Sequence, residues 1–179
     1  MKKHWKINTS SEGKLRELVR LFAQKGCSVD ATQIDLKEID SDPISVVVHK
    51  ASQMPNDVLV EDTSLHIEKA TVGIHIKWFL EHLSEYIGRK ASWVVLLAYR
   101  RNQLVHIFKG QIDGVIVVAQ GTEGFGFDPV FLPNGSSATL AISKPDSVNA
   151  RAFAVTALLK GNVFSIQPVI SDWAGEWQK

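Results

Sequence analysis

The stretch VLVEDTSL puts two carboxylates, Glu61 and Asp62, at the end of an apolar run, and DLKEID supplies a third, Glu38, in a loop upstream. Carboxylates gathered at a strand end of an α/β protein can bind Mg²⁺ or take a proton from water. Neighbouring strand residues point to opposite faces, so only one of the pair need enter a cleft. Mg²⁺ keeps several waters and takes one or two protein carboxylates, so two acids suffice. TSSEGK (9–14) places small hydroxyl residues, a glycine and a lysine where a strand feeds a helix. Main-chain N–H groups and the positive end of the helix dipole make such a turn an anion site, and Lys14 adds a full charge. The spacing is not that of a Walker A loop. Lys77, in GIHIKWFL behind Gly73, is a further cation for a phosphate.

A different chemistry is suggested by GTEGFGFDPVFLP (121–133) and SKPDSVNARAFA (143–154). Glycine at the density of the first stretch weakens helix and strand alike, which argues against a core-packing role for its aromatics. Either the loop is a tight turn or it grips a flat ligand, with Phe125 stacked on a base and Asp128 fixing the loop or accepting an N–H. Lys144 and Arg151 lie near the start of a helix, and an arginine fork donates to a carbonyl-rich base edge but opposes an amino group. Each feature also has an ordinary reading: a serine-capped surface helix, a solvated acidic strand end, an exposed helix lysine. Together they make a nucleotide-shaped set of base stack, base-edge donors, phosphate cations and metal carboxylates. His75 pairs with no nucleophile, the other histidines lack zinc spacing, and Cys27 reads as packing.

The elements that must position these groups follow from periodicity. KIN is a short strand feeding a helix on Leu15, Leu18, Val19 and Phe22, capped by Ser10 or Ser11 and stopped near Gly26. Residues 29–39 read as a strand leading into a loop, 42–54 as a helix opened by Pro43, and 57–65 as a strand ending in acids. Residues 73–90 carry Ile76, Phe79, Leu80, Leu83 and Ile87 on one helical face. Residues 92–119 are the strongest β region, with turns expected at Arg100 to Gln103 and near Asp113-Gly114. SVNARAFAVTALLKG is a closing helix stopped by Gly161. This is a mixed α/β pattern.

The chain of 179 residues fits one domain, with room for two lobes, and its 45% hydrophobic and 22% charged residues are ordinary for a soluble globular protein. A formal net charge of +1 provides no global field for nucleic acid or an anionic membrane, so an anion must be held by a few placed cations. The single cysteine excludes an internal disulfide and suits a reducing, cytoplasmic setting. MKKHWKINTSSEGK lacks the apolar core of a signal peptide, and WVVLLAY and VIVVA are too short to span a bilayer. The two tryptophans of SDWAGEWQK have a docking role on the core or on a partner.

In sequence order, TSSEGKLREL, DLKEID, VLVEDTSL, GIHIKWFLEHL and GTEGFGFDPVFLP resemble the inosine triphosphate pyrophosphatase family. The resemblance runs from about Thr9 to Arg151 and implies a long mixed β-sheet with flanking helices, forming two lobes around a central nucleotide-binding cleft. It implies hydrolysis of ITP, dITP and XTP to the monophosphate and pyrophosphate, with Mg²⁺ or Mn²⁺ as cofactor, and a homodimer. Thr9, Ser11 and Lys14 fall on the family's Thr-Gly-Asn-x-x-Lys phosphate motif, Glu38 and Asp62 on its metal-site acids, and Glu61 and Asp62 on the acids that include its base. Lys77 matches a lysine beside the phosphates, Phe125 the base-stacking aromatic, and Phe127 and Asp128 the remainder of that wall. Lys144 and Arg151 bracket the family's Lys…Ser-His-Arg base-reading segment.

The sequence departs from this pattern at Ser11, which replaces the motif asparagine, and at Asn149-Ala150-Arg151, which replaces Ser-His-Arg, with Lys144 one residue farther from the arginine. Losing one base-edge hydrogen bond relaxes discrimination by roughly 1–3 kcal/mol. The catalytic end is retained and the selective end is altered. Two alternatives follow: the same chemistry on a different base, or a non-catalytic nucleotide sensor.

Overall fold

The computed structural model describes residues 3–70 and 72–178. Its seven strands share one sheet of order β2-β1-β3-β4-β5-β6, with β7 also on β5, and helices flank it. Two compact units are built along these strands: residues 3–62, 96–109 and 154–178 in the first, and 63–95 with 110–153, residue 71 aside, in the second. No helix among the described residues is long and apolar enough to cross a membrane.

In the first unit, β1 (His4–Asn8) alternates exposed His4 and Lys6 with buried Trp5 and Ile7. It lies between two parallel neighbours, β2 (Ser28–Thr32) and β3 (Val58–Ile67). A parallel pair needs a crossover, and α1 (Glu12–Ala23) supplies it between β1 and β2. Ser11, in extended conformation, caps α1 by accepting from the Lys14 N–H, and Gly26 turns the chain at φ +69°. The buried face of α1 is Leu18, Leu21 and Phe22; Val19 is 44% exposed. Asp42 caps α2 (Pro43–Ser52), with Pro43 in its first turn. Val46, Val47 and Val48 are all buried, and that burial outweighs the low helix propensity of a valine run.

The acids Glu61 and Asp62 lie within β3 and do not terminate it, because the strand runs on to Ile67. Its pairing with β1 stops at Asn8 opposite Val60, so the two acids stand just past the carboxyl end of β1. Crevices of open parallel sheets form outside such strand ends.

The helix expected over 73–90 is shorter, comprising α3 (Ile76–Glu81) and a 3₁₀ turn at Leu83–Glu85. His82 ends it. Its ring Nδ1 donates to the Trp78 carbonyl at 2.8 Å, which is the acceptor its own main-chain N–H would use in a continuing helix. The His82 N–H turns instead to Phe79, and only Phe79 of this short helix is buried. The hairpin between β4 (Lys90–Arg101) and β5 (Leu104–Ile116) turns at the expected place, with Asn102 at φ +57°. Asp113-Gly114 is no turn: β5 continues through it, and Gly114 pairs with Pro133 of β6 (Phe131–Pro133). At the other end of β5, β7 (Ser165–Pro168) pairs antiparallel with Leu104–Ile107. The closing helix is α4 (Ala150–Lys160), followed by Gly161 at φ +71°.

Gly114 is required by packing. A Cβ there would press on the Leu132 carbonyl and come within 2.8 Å of the Phe131 ring. Gly114→Ala should therefore destabilise the protein by about 1–3 kcal/mol, the usual range for overpacking. Urea denaturation monitored by tryptophan fluorescence would check this, and an unchanged midpoint would contradict the packing account.

Candidate functional site

The first unit carries a cavity of about 360 Å³ lined by Thr9, Ser11, Lys14, Glu38, Lys50 and Glu61, among others. Its walls follow from local structure. The Ser11 cap places Lys14 in the first turn of α1, and Thr9 Oγ1 accepts from the Ser11 N–H at 3.2 Å, holding the turn between β1 and α1. Across the cavity, the Asn8 side chain accepts from Ile34 N–H at 2.8 Å and Thr32 Oγ1 at 2.9 Å. Its amide donates to the Ile34 carbonyl at 2.9 Å, so one asparagine at a strand end ties down the loop after β2.

Alternation along β3 separates the two adjacent acids, and each has a lysine. Glu61 Oε1 lies 3.4 Å from Lys14 Nζ. Asp62 Oδ1 lies 3.4 Å from Lys50 Nζ, which is also 3.0 Å from Glu38 Oε1 and donates to the Glu61 carbonyl at 3.2 Å. One ammonium thus sits against both Glu38 and Asp62. Glu61 and Asp62 are only 4% and 7% exposed, so these charges act at close range in a medium that screens poorly.

Burial pushes the Asp62 carboxyl up to about 6, because Glu38 and Glu61 add to the desolvation and Lys50 and Lys14 only partly offset it. Burial alone would lower Lys50, but Asp62, Glu38 and Glu61 outweigh it and the ammonium is held above its ordinary range. Asp62 Oδ2 is buried without a hydrogen-bond partner. A buried carboxylate oxygen left unpaired, beside a second carboxylate that already shares a cation with it, fits a hard divalent ion. No three His, Cys, Asp or Glu side chains gather as a metal cluster among the described residues. An ion here would be held by two carboxylates and complete its shell with waters or phosphate oxygens.

The second unit brings together Phe125, Asp128, Lys144 and Arg151. Asp128 is 3% exposed, and its Oδ2 accepts from Phe125 N–H at 3.1 Å and from Lys144 Nζ at 2.9 Å. Gly124, at φ +81°, allows this: a Cβ there would run into the Asp128 carboxylate. Lys144 Nζ is 4.9 Å and Arg151 Cζ 5.4 Å from the centre of the half-buried Phe125 ring. Arg151 is itself buried, and its guanidinium donates to Thr63 Oγ1 at 3.3 Å. Asn149 Oδ1 accepts from the Arg151 and Ala152 N–H groups at 2.9 and 3.2 Å, which caps α4. Phe127 belongs to the core: it is 4% exposed and packs edge-on against Trp93 and Phe131. Its part is to anchor the loop that carries Phe125. Lys77 is exposed on α3.

Lys50 escaped the sequence reading, although a signal was present. Val46 and Val47, four and three residues before it, are fully buried, and a lysine on that helical face must have acidic partners. Asn149 also carried one, as an N-cap residue type directly before a helix. Asn8 and Trp93 gave no such signal.

The profile of the Ham1 family matches residues 5–161. An inosine triphosphate pyrophosphatase of Yarrowia lipolytica is 31% identical, covering 87% of this chain and 92% of its own length. One of Batrachochytrium dendrobatidis is 31% identical over 84% and 87%. A dITP/XTP pyrophosphatase of Thermococcus kodakarensis is 30% identical over 74% and 81%. Among solved structures, a nucleoside-triphosphatase / dITP/XTP pyrophosphatase of Mycobacterium abscessus matches with TM-score 0.60 and 21% identity, covering 87% of this chain and 98% of that one, a likeness of fold.

Asp62 gives a pH signature in protein freed of divalent ions. A carboxyl raised from 3.8 to about 6 on folding contributes stability that is fully present below the lower value and lost as pH rises through the upper one. The stability difference between wild type and Asp62→Asn should therefore shift against wild type by about 3 kcal/mol across that window. Denaturation in chelator at a series of pH values measures it, and a difference that does not change with pH would contradict the raised value.

Proposed function

The chain belongs to the Ham1 family, and from that premise we propose that it hydrolyses non-standard purine nucleoside triphosphates, ITP, dITP and XTP, to the monophosphate and pyrophosphate. The observation that carries the reading is the pairing of acids with lysines beyond the carboxyl end of β1, where Lys14 meets Glu61 and Lys50 meets both Glu38 and Asp62. Acids with lysines at a cavity suit a substrate that brings both phosphate charge and a divalent ion.

Glu38 and Asp62 would hold Mg²⁺, or Mn²⁺ in its place, and the ion when bound supplies charge neutralisation to the phosphate oxygens. Thr9, Ser11 and the first turn of α1 offer N–H and hydroxyl donors to the phosphates. Lys14 exchanges Glu61 for a phosphate oxygen as the triphosphate enters and, with Lys77, offsets charge moving onto the pyrophosphate leaving group. Glu61, released from that pair, takes the proton of the water that attacks the α-phosphorus. Phe125 is assigned to stack on the base and Arg151 with Lys144 to read its 6-oxo edge, while Asp128 and Phe127 keep that loop in shape. We further read the protein as a cytoplasmic homodimer, following the family resemblance. Twice the chain mass in sedimentation equilibrium would agree with that.

One observation favours the variant in which the same chemistry acts on another base. Ala150 stands where the family has its base-edge histidine, and its methyl group, fully buried, offers no side-chain donor there.

Pyrophosphate release with Mg²⁺ across ITP, XTP, dITP, dUTP, ATP and GTP separates these readings. We expect ITP, dITP and XTP to lead, kcat to fall at least about a hundredfold in Asp62→Asn and Glu61→Gln, and KM to rise about tenfold in Phe125→Ala with kcat little changed. Turnover within a few-fold of wild type in Asp62→Asn would remove the role assigned to it. A lead for dUTP would transfer the reading to the second base class.

A further inference from the structure

Glu38 sits in the stretch between β2 and α2, which has no helix or strand of its own. A carboxylate on such a loop is a poor ligand unless the loop is held from outside, because a metal site demands fixed geometry. The holding groups come from residues 170–178, far along the chain.

Ile39 forms an isolated antiparallel bridge with Trp177. The Asp40 N–H donates to the Glu176 carbonyl at 2.9 Å, and the Gln178 N–H donates to the Glu38 carbonyl at 2.9 Å. The Gln178 side-chain amide donates to the Ile39 carbonyl, also at 2.9 Å. The Trp177 ring is wedged alongside: Lys37 Nζ lies 4.3 Å from its centre, and the ring of buried His49 meets it edge-on at 5.4 Å. The segment is itself tied to α2 at one end and braced internally. Its Ile170 N–H donates to Ser52 Oγ at the end of α2, and Trp173 Nε1 donates to the Glu176 carbonyl, both at 2.9 Å. Gly175 fits under the Trp173 ring, which a Cβ would meet at 2.7 Å.

The bridge also sets direction. Ile39 is fully buried, so its neighbour Glu38 projects to the opposite side, where its Oε1 reaches Lys50 Nζ at 3.0 Å. We propose that Trp177 and Gln178 are positioning residues for Glu38, and that the 176–178 strap sets the affinity of the divalent-ion site. This rests on the reading of Glu38 as a metal ligand.

The test is Mn²⁺ binding by electron paramagnetic resonance, without nucleotide, on wild type, Glu38→Gln, Trp177→Ala, Trp177→Phe and Gln178→Ala. We expect Mn²⁺ Kd to rise about tenfold or more in Trp177→Ala, a few-fold in Gln178→Ala, and to stay near wild type in Trp177→Phe, which keeps a ring in the wedge. In turnover, the metal concentration for half activity should rise by the same factor in Trp177→Ala, while KM for ITP at saturating metal is unchanged. If Glu38→Gln weakens Mn²⁺ binding and both Trp177→Ala and Gln178→Ala bind as wild type, the strap has no such role. If Glu38→Gln itself binds Mn²⁺ normally, the ligand assignment is what fails. Equal losses in metal affinity and nucleotide KM would reduce the strap to general stability and overturn the proposal, as would failure of the Phe variant to restore binding.

Discussion

Glu61 and Asp62 occupy the interior of a strand whose residues are nearly all buried, and much of the first unit can be read as a response to that placement. Taking a carboxylate out of water costs several kcal/mol unless opposite charge and hydrogen bonds replace the lost solvation. Alternation sends the two side chains to opposite sides of the strand, so the Lys50 ammonium pairs with the carboxylate of Asp62 and reaches only the main-chain carbonyl of Glu61. The protein answers with a lysine from each flanking helix, Lys14 from α1 and Lys50 from α2. The phases of both helices are tied to this requirement: α1 through the Ser11 cap that fixes its first turn, α2 through the Asp42 cap and a valine face that carries Lys50 inward. Compensation is incomplete, since Asp62 Oδ2 has no partner and its carboxyl remains raised. An environment that leaves a buried anion under-compensated is one in which an added cation gains most.

The same economy of charge appears in the second unit. Asp128 is buried, and a single one of its oxygens accepts both the Phe125 N–H and the Lys144 ammonium. That pair of bonds fixes where the aromatic ring and the cation stand relative to each other. It needs the main chain to pass close to the carboxylate, which only a residue without a side chain at position 124 allows. The glycine-rich loop is therefore not slack. Its glycines admit a buried acid, and Phe127 fastens it to the core through Trp93 and Phe131.

What could be read from the sequence was local. The cap at Ser11, the opening of α2 at Pro43, the stops at Gly26 and Gly161, the hairpin at Asn102 and the apolar run of β4 each state their structure within a few residues. What could not be read depended on particular side-chain contacts, most of them with partners outside the local stretch. Gly114 resembles a turn beside Asp113 until Phe131 and Leu132 are seen to fill the space above it. The acids of VLVEDTSL resemble a strand end because polar residues rarely continue a buried strand, and the lysines that permit it lie outside the strand on two separate helices. His82 ends a helix through a side-chain bond that periodicity does not encode. Of the site, the sequence displayed the acids, Lys14, Phe125, Lys144 and Arg151. It hid Lys50 behind three valines and the Trp177 strap behind more than a hundred residues of intervening chain.

The departures from the family motif are not equal once their local work is known. Ser11 replaces an asparagine, yet its hydroxyl still caps α1 on the N–H of Lys14, and serine and asparagine serve that purpose comparably. Asn149 replaces a serine and likewise caps α4, satisfying the N–H groups of Arg151 and Ala152. Both exchanges keep the main-chain geometry that aims a cation, Lys14 in one case and Arg151 in the other. Ala150 differs in kind, because a methyl group can cap nothing and donate nothing, and it is fully buried in the first turn of α4. The loss therefore falls on hydrogen bonding to the ligand, while the backbone that presents Arg151 is intact. In the proposed reading the guanidinium, held at Thr63 and beside Phe125, is left with Lys144 to donate to the base edge. A planar donor fork still distinguishes a carbonyl from an amino group. On that reading, what is given up without the histidine is added discrimination between carbonyl-bearing bases, so the sequence departure at Ala150 bears on selectivity.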